Sequence, residues 1–148
     1  MIRRLYCQLA ALLLAFEAAR LQARPLVEVA ARLRARARLL LRATVRADAD
    51  RIAAAQSCSA RATRWLSRLG SGEDSPMTRA LISWALLERS GAAVLHLGVS
   101  PASSEDGARV DSVLRDRVWI TVAGRVLAGG PSGTEVQGFR ELWSSEDL

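Results

Sequence analysis

Ser75-Pro76-Met77-Thr78-Arg79-Ala80-Leu81-Ile82-Ser83-Trp84-Ala85-Leu86-Leu87, followed by Ala93-Val94-Leu95-His96-Leu97-Gly98-Val99, decides the fold class of this chain. Serine is a favoured N-cap and proline a favoured first helical residue, so a helix starts at Ser75 and Pro76. Gly91 ends it, and the apolar run that follows is too short and too rich in β-branched side chains for another long helix. A turn leading into a helix N-terminus is a common seat for a nucleophile, because the dipole and free N–H groups stabilise a thiolate or alkoxide. Here the turn holds proline, so the scaffold suggests one chemistry and the residues refuse it.

The 148 residues suffice for one domain with a real core; half are apolar and few are aromatic, which predicts helices packed through Ala and Leu. All 21 basic residues are arginine, as in proteins encoded by GC-rich bacterial genomes. Residues 1–68 carry 14 Arg against 4 acids, a net +10, and residues 69–148 carry 7 Arg against 11 acids, a net −4. A basic half of this kind could hold nucleic acid or an acidic peptide. No nucleic-acid reader motif accompanies the charge, so a solvated arginine face is expected and nucleic acid is not. Cys7 and Cys58 form neither a disulfide framework nor, with a single histidine, a zinc site, so no metal is expected. Ile2-Arg3-Arg4 and Leu9 to Phe16 look a little like a signal peptide, but Glu17 and Arg20 interrupt the run. An amphipathic helix without a membrane span, in a cytoplasmic protein, is the expectation.

Outward from the central stretch, a first helix is expected over about 3–22, stopping before Pro25. A second covers about 26–43, with Leu26, Val29, Ala30, Leu33, Ala37, Leu40 and Leu41 on one face and Arg34, Arg38 and Arg42 on another. Asp48 or Asp50 caps a third, whose Ile52, Ala55, Ser59, Ala62, Leu66 and Leu69 share a side. In the central helix Met77, Ala80, Leu81, Trp84 and Leu87 make the core stripe. Residues 92–99 and 118–122 read as strands, and Ala123-Gly124 turns the second into Arg125-Val126-Leu127 as a hairpin. Phe139, Leu142 and Trp143 pack the tail onto the domain. The class is α+β: a single domain, 1–148, with an Arg-rich helical part (1–70) and a helix plus small antiparallel sheet (75–148).

Thr78-Arg79-Ala80-Leu81, the helix ending near Gly91, Leu97-Gly98-Val99, Val118-Trp119 and Gly124-Arg125-Val126-Leu127 together resemble the lasso-peptide leader peptidases, the B proteins of lasso-peptide maturation. These are small transglutaminase-like cysteine proteases, and the resemblance implies that fold over most of the chain. The family's catalytic positions do not carry over. Its nucleophilic Cys, three residues before the helix Arg, corresponds to Pro76. Its catalytic His, which precedes an Ala-Trp pair, corresponds to Arg117 before Val118-Trp119. Its orienting carboxylate falls near Ala123 and Gly129. Thiol proteolysis needs nucleophile and base in contact, and the chain offers neither at these places.

What remains is acid–base chemistry: Glu73, Asp74, Arg79, His96, Glu105, Asp106, Asp116 and Arg117. One Arg, one His and one acid suit a reaction that needs only positioning and proton shuttling. In order and approximate spacing, Arg79, His96 and Glu105 resemble the Arg, His and Glu of small homodimeric bacterial Pictet–Spengler cyclases. That resemblance implies a cofactor-free condensation of a tryptophan-like amine with an aldehyde to a tetrahydro-β-carboline. Arg79 would hold the substrate carboxylate, Glu105 would act as acid and then base, and His96 would orient the aldehyde. Trp119, Arg117 and Asp106 complete the expected substrate-binding set, in a homodimer. The competing expectation is a peptidase homologue without activity that holds a precursor peptide or a partner maturation enzyme.

Overall fold

The central helix forms where its caps dictate. In the computed structural model, which describes residues 2–21, 23–41, 48–71, 74–101, 114–122, 125–128 and 140–147, α4 spans Pro76–Leu87, with Pro76 in its first turn and the Ser75 side chain accepting from Thr78 N. A 3₁₀ turn, Glu88–Ser90, follows, and Gly91 closes it at φ 67°, a left-handed conformation that favours glycine. Residues 80–85 and Leu87 are buried, Trp84 completely.

Three helices precede α4: α1 (Ile2–Arg20), α2 (Leu26–Leu40) and α3 (Ala49–Arg68). Asp48 caps α3 through its side chain. Gly70 ends it at φ 66° in a Schellman arrangement, with Gly70 N donating to Ser67 O and Ser71 N to Leu66 O. Four strands follow, β1 (Ala93–Pro101), β2 (Leu114–Val122), β3 (Arg125–Ala128) and β4 (Arg140–Ser144), antiparallel in the order β3-β2-β1-β4. Alternation sends Leu95, Val118 and Ile120 to the face that packs on the helices, where they join Leu14, Leu33 and Trp84 in one core. It sends His96, Trp119 and Thr121 to the opposite face. The result is mixed α+β, with helices on one side of a small antiparallel sheet. No helix among the described residues is long and apolar enough to cross a membrane.

Several expectations change. α1 and α2 end a little earlier than their apolar patterns suggested, at Arg20 and Leu40, and Arg42 lies outside the described residues. Both β1 and β2 run longer than their apolar cores, because backbone pairing continues from Val99–Asp116 to Pro101–Leu114. The tail is a strand, not a loose cover: β4 pairs with β1, and a bulge at Leu97/Gly98 shifts its register. Trp143 packs on the core, but Leu142 is exposed, and Phe139 lies outside the described residues. Met77 and Leu69, expected in the core, are also exposed. Each sits at a helix end. The Ala123-Gly124 turn is outside the described residues, although β2 and β3 pair as a hairpin requires.

Candidate functional site

The N-terminus of α4 is where a nucleophile would sit, and its polar groups are already engaged with one another. Ser75 Oγ accepts from Thr78 N at 3.1 Å and shares a hydrogen bond with Thr78 Oγ1 at 2.9 Å. Pro76 contributes no N–H to an anion there. Arg79 Nε donates to Asp74 Oδ1 at 2.8 Å, and Thr63 Oγ1 donates to the same oxygen at 2.7 Å. The Thr63 hydrogen bond lowers the Asp74 carboxyl below its ordinary value; partial burial opposes this, and Arg79 and Arg64 add to the lowering. Arg79 is thus paired with Asp74 within its own helix start.

His96 belongs to a different surface. Its Nδ1 lies 3.0 Å from Glu141 Oε2 and its Nε2 lies 2.8 Å from Thr121 Oγ1. The ring stacks on Trp119, its partner across the β1–β2 ladder, with centroids 5.4 Å apart and planes within 12°. Trp119 is itself buried, so its face is given to His96 rather than to solvent. The sheet separates this group from α4, which packs on the other face, so Arg79 and His96 do not converge. Glu105, Asp106 and Gly129 lie outside the described residues; Arg117 stands opposite Gly98 in the ladder.

The two cysteines meet each other across α1 and α3. Cys58, buried in α3, faces Cys7 of α1, and both are free thiols. Burial first, and then the hydrogen bond and charge of Cys58, push the Cys7 thiol from 9.0 up to about 12. Such thiols pack helices and do not attack substrates. Among the described residues no group of three or more His, Cys, Asp or Glu side chains is placed to hold a metal ion.

A third cluster lies at the other end of α4. Glu88 is buried and bound by two arginines of α2: Arg34 Nε at 2.9 Å and Arg38 NH2 at 2.8 Å. Arg34 also donates to Ser145 O at 3.3 Å and lies over the Trp84 ring, 5.7 Å from its centroid. Arg89 NH1 donates to Arg38 O at 3.1 Å. Beside these groups an open cleft of about 460 Å³ is bounded by Arg38, Arg89, Gly91, Val94, Ser145 and Glu146 among others. Its floor is fixed, because Ser145 Oγ accepts from Leu95 N at 2.9 Å.

Sequence reasoning missed Thr121 and Glu141 as partners of His96, and Glu88 as partner of Arg34 and Arg38. Thr121 was findable, since it shares a strand face with Trp119. The four-residue spacing of Arg34 and Arg38 marked a common face, but nothing local pointed to Glu88. No protein-family model, no curated protein and no solved structure matches the chain.

Proposed function

We propose that the chain is a peptide-binding module on a leader-peptidase-like, transglutaminase-like scaffold, serving the maturation of a ribosomally made peptide without cleaving it. One observation carries the reading: Pro76 occupies the first turn of α4, with the Ser75 hydroxyl used as a cap and Arg79 held by Asp74. The helix start that would activate a nucleophile has turned its polar groups inward. What is left for a ligand is the cleft beside Glu88, where Arg89 lines the wall next to the exposed part of Arg38, whose Nε and NH2 are already bonded to Glu88, and where Arg89 would meet a carboxylate. The precursor or partner peptide that fits is acidic.

A fluorescently labelled acidic leader-type peptide, titrated with the purified protein, tests this. Binding that weakens about tenfold in Arg89→Ala is expected, the loss of one charge-assisted contact. An affinity unchanged in that variant would move the peptide elsewhere, and no binding at all would end the proposal.

A second reading has its own support. His96, bonded to a carboxylate on one side and a hydroxyl on the other, is a proton shuttle in form. A Pictet–Spengler-type condensation on this face would use His96 with Glu141. It would forgo Arg79 as carboxylate clamp. Faster tetrahydro-β-carboline formation from tryptophan and an aldehyde, abolished in His96→Ala, would favour it over the binding module.

A further inference from the structure

α1 is apolar on both sides. Ala10, Ala11, Leu14, Ala15, Ala18 and Leu21 are buried against the other helices. On the opposite side Leu5, Leu9 and Leu13 follow at four-residue spacing, with Phe16 one turn on and Tyr6 alongside, and all of them are exposed, Leu5 at 64% and Leu9 at 56%. A helix with a second apolar side normally has that side covered too, so the amphipathic pattern expected of α1 gives way to a continuous exposed seam that marks a surface covered in use. Val27 and Leu39 on α2, Trp65 on α3 and Leu69 just past its end are exposed as well. Among the described residues only Met77 and Leu142 are large, apolar and exposed elsewhere.

The charge on this half of the molecule selects the occupant. Arg20, Arg32, Arg61, Arg64 and Arg68 are exposed on the same helices and Arg24 between α1 and α2, with Arg24 and Arg32 paired to Glu28, in a half that carries 14 Arg against 4 acids. A second copy docking face to face would bring two such halves together and be repelled. Leucine and phenylalanine interspersed with arginine, with Trp65 as an amphipathic ring and Tyr6 tied to α2 through its hydroxyl on Leu40 O, match the chemistry of a bilayer's polar boundary. Guanidinium groups bind phosphate bidentately, and the acidic sheet half orients the helical half toward a negative surface.

We infer that the exposed face of α1, with the arginines of α2 and α3 around it, docks peripherally on an anionic lipid surface, lying on it without spanning it. This inference is independent of the peptide cleft, which lies at the C-terminal end of α4.

The test is flotation of the full chain with vesicles of phosphatidylcholine alone and with vesicles that also contain phosphatidylglycerol. The chain floats with the mixed vesicles, less so as salt rises, and hardly with the neutral ones. Replacing Leu9 and Leu13 by serine leaves the charge unchanged and lowers binding by about tenfold or more. Leu142→Ser, on an exposed residue of β4, leaves it unchanged. If the double variant fails to fold, Phe16→Ser serves in its place. The proposal is overturned by absence of flotation at low salt. It is equally overturned by full binding of the serine variant, which would reduce the effect to bulk charge. A dimer of the wild-type chain that dissociates in the serine variant and never floats would assign the face to a second copy, and selective capture of an acidic helical peptide without flotation would assign it to a protein.

Discussion

The two ends of α4 solve opposite electrostatic problems. At the N-terminus the dipole favours negative charge, and Asp74 is lowered in pKa by groups that cost little to place: the Thr63 hydroxyl first, then Arg79 and Arg64, against the opposing effect of burial. At the C-terminus the dipole disfavours a carboxylate, yet Glu88 is there with a side chain only 6% exposed. It persists because Arg34 and Arg38, two turns of α2, both bind it, and the Glu88 hydrogen bond and charge hold the Arg38 guanidinium protonated beyond its already high value. The first end is locally assembled and forgiving; the second is a long-range ion cluster around a buried carboxylate that ties α2 to the 3₁₀ turn and to Ser145.

The sharpest way to break the contrast is Glu88→Ala. It strands the half-buried Arg34 and is expected to cost about 3 kcal/mol, at the low end for a broken buried pair because Arg34 keeps Ser145 O and Trp84. Urea unfolding measures it. At the opposite end Ser75→Ala removes the cap to Thr78 N and should cost about 1 kcal/mol, with Ser75→Gly costing only a few tenths. A loss at Ser75 equal to that at Glu88 would erase the distinction. Arg38→Ala separates the two arginines of the cluster. Its side chain is 59% exposed against 22% for Arg34, so solvent screening should make its cost clearly smaller than that of Glu88→Ala.

The smallest expected effect concerns acid. Asp74 has a folded pKa below its ordinary 3.8, so the stability it contributes is present above that value and is lost as pH falls through the lower folded one. Thermal melts between neutral and strongly acid pH should show this limb shrink in Thr63→Val more than in Arg64→Ala, because the Thr63 hydrogen bond is the larger cause. Equal shrinkage would mean that charge, not the hydroxyl, controls this end.

Much of this was legible in the residues, because helix ends are written in short stretches. Ser75-Pro76, Asp48, Gly70 and Gly91 each act on neighbours within one turn, and each acts as its residue type predicts. The candidate site was less legible. Arg79 and His96 looked like partners because they follow one another in order along the chain. Order does not reveal that β1 turns His96 to the face of the sheet away from α4. That proline stands in the first turn of α4, by contrast, needed no coordinates, since Pro76 follows a capping serine in the sequence.

Sequence by itself determined the four helices, the alternation that divides β1 and β2 into two faces, and the basic helical half set against an acidic sheet half. Tertiary structure alone decided that β4 completes the sheet beside β1, that His96 meets Glu141 across 45 residues, and that Glu88 meets Arg38 across 50. The reason is physical. Caps and periodicity are set by dihedral preferences and neighbouring hydrogen bonds, whereas a pairing between distant segments depends on how the whole chain buries its apolar faces, and no local pattern encodes it.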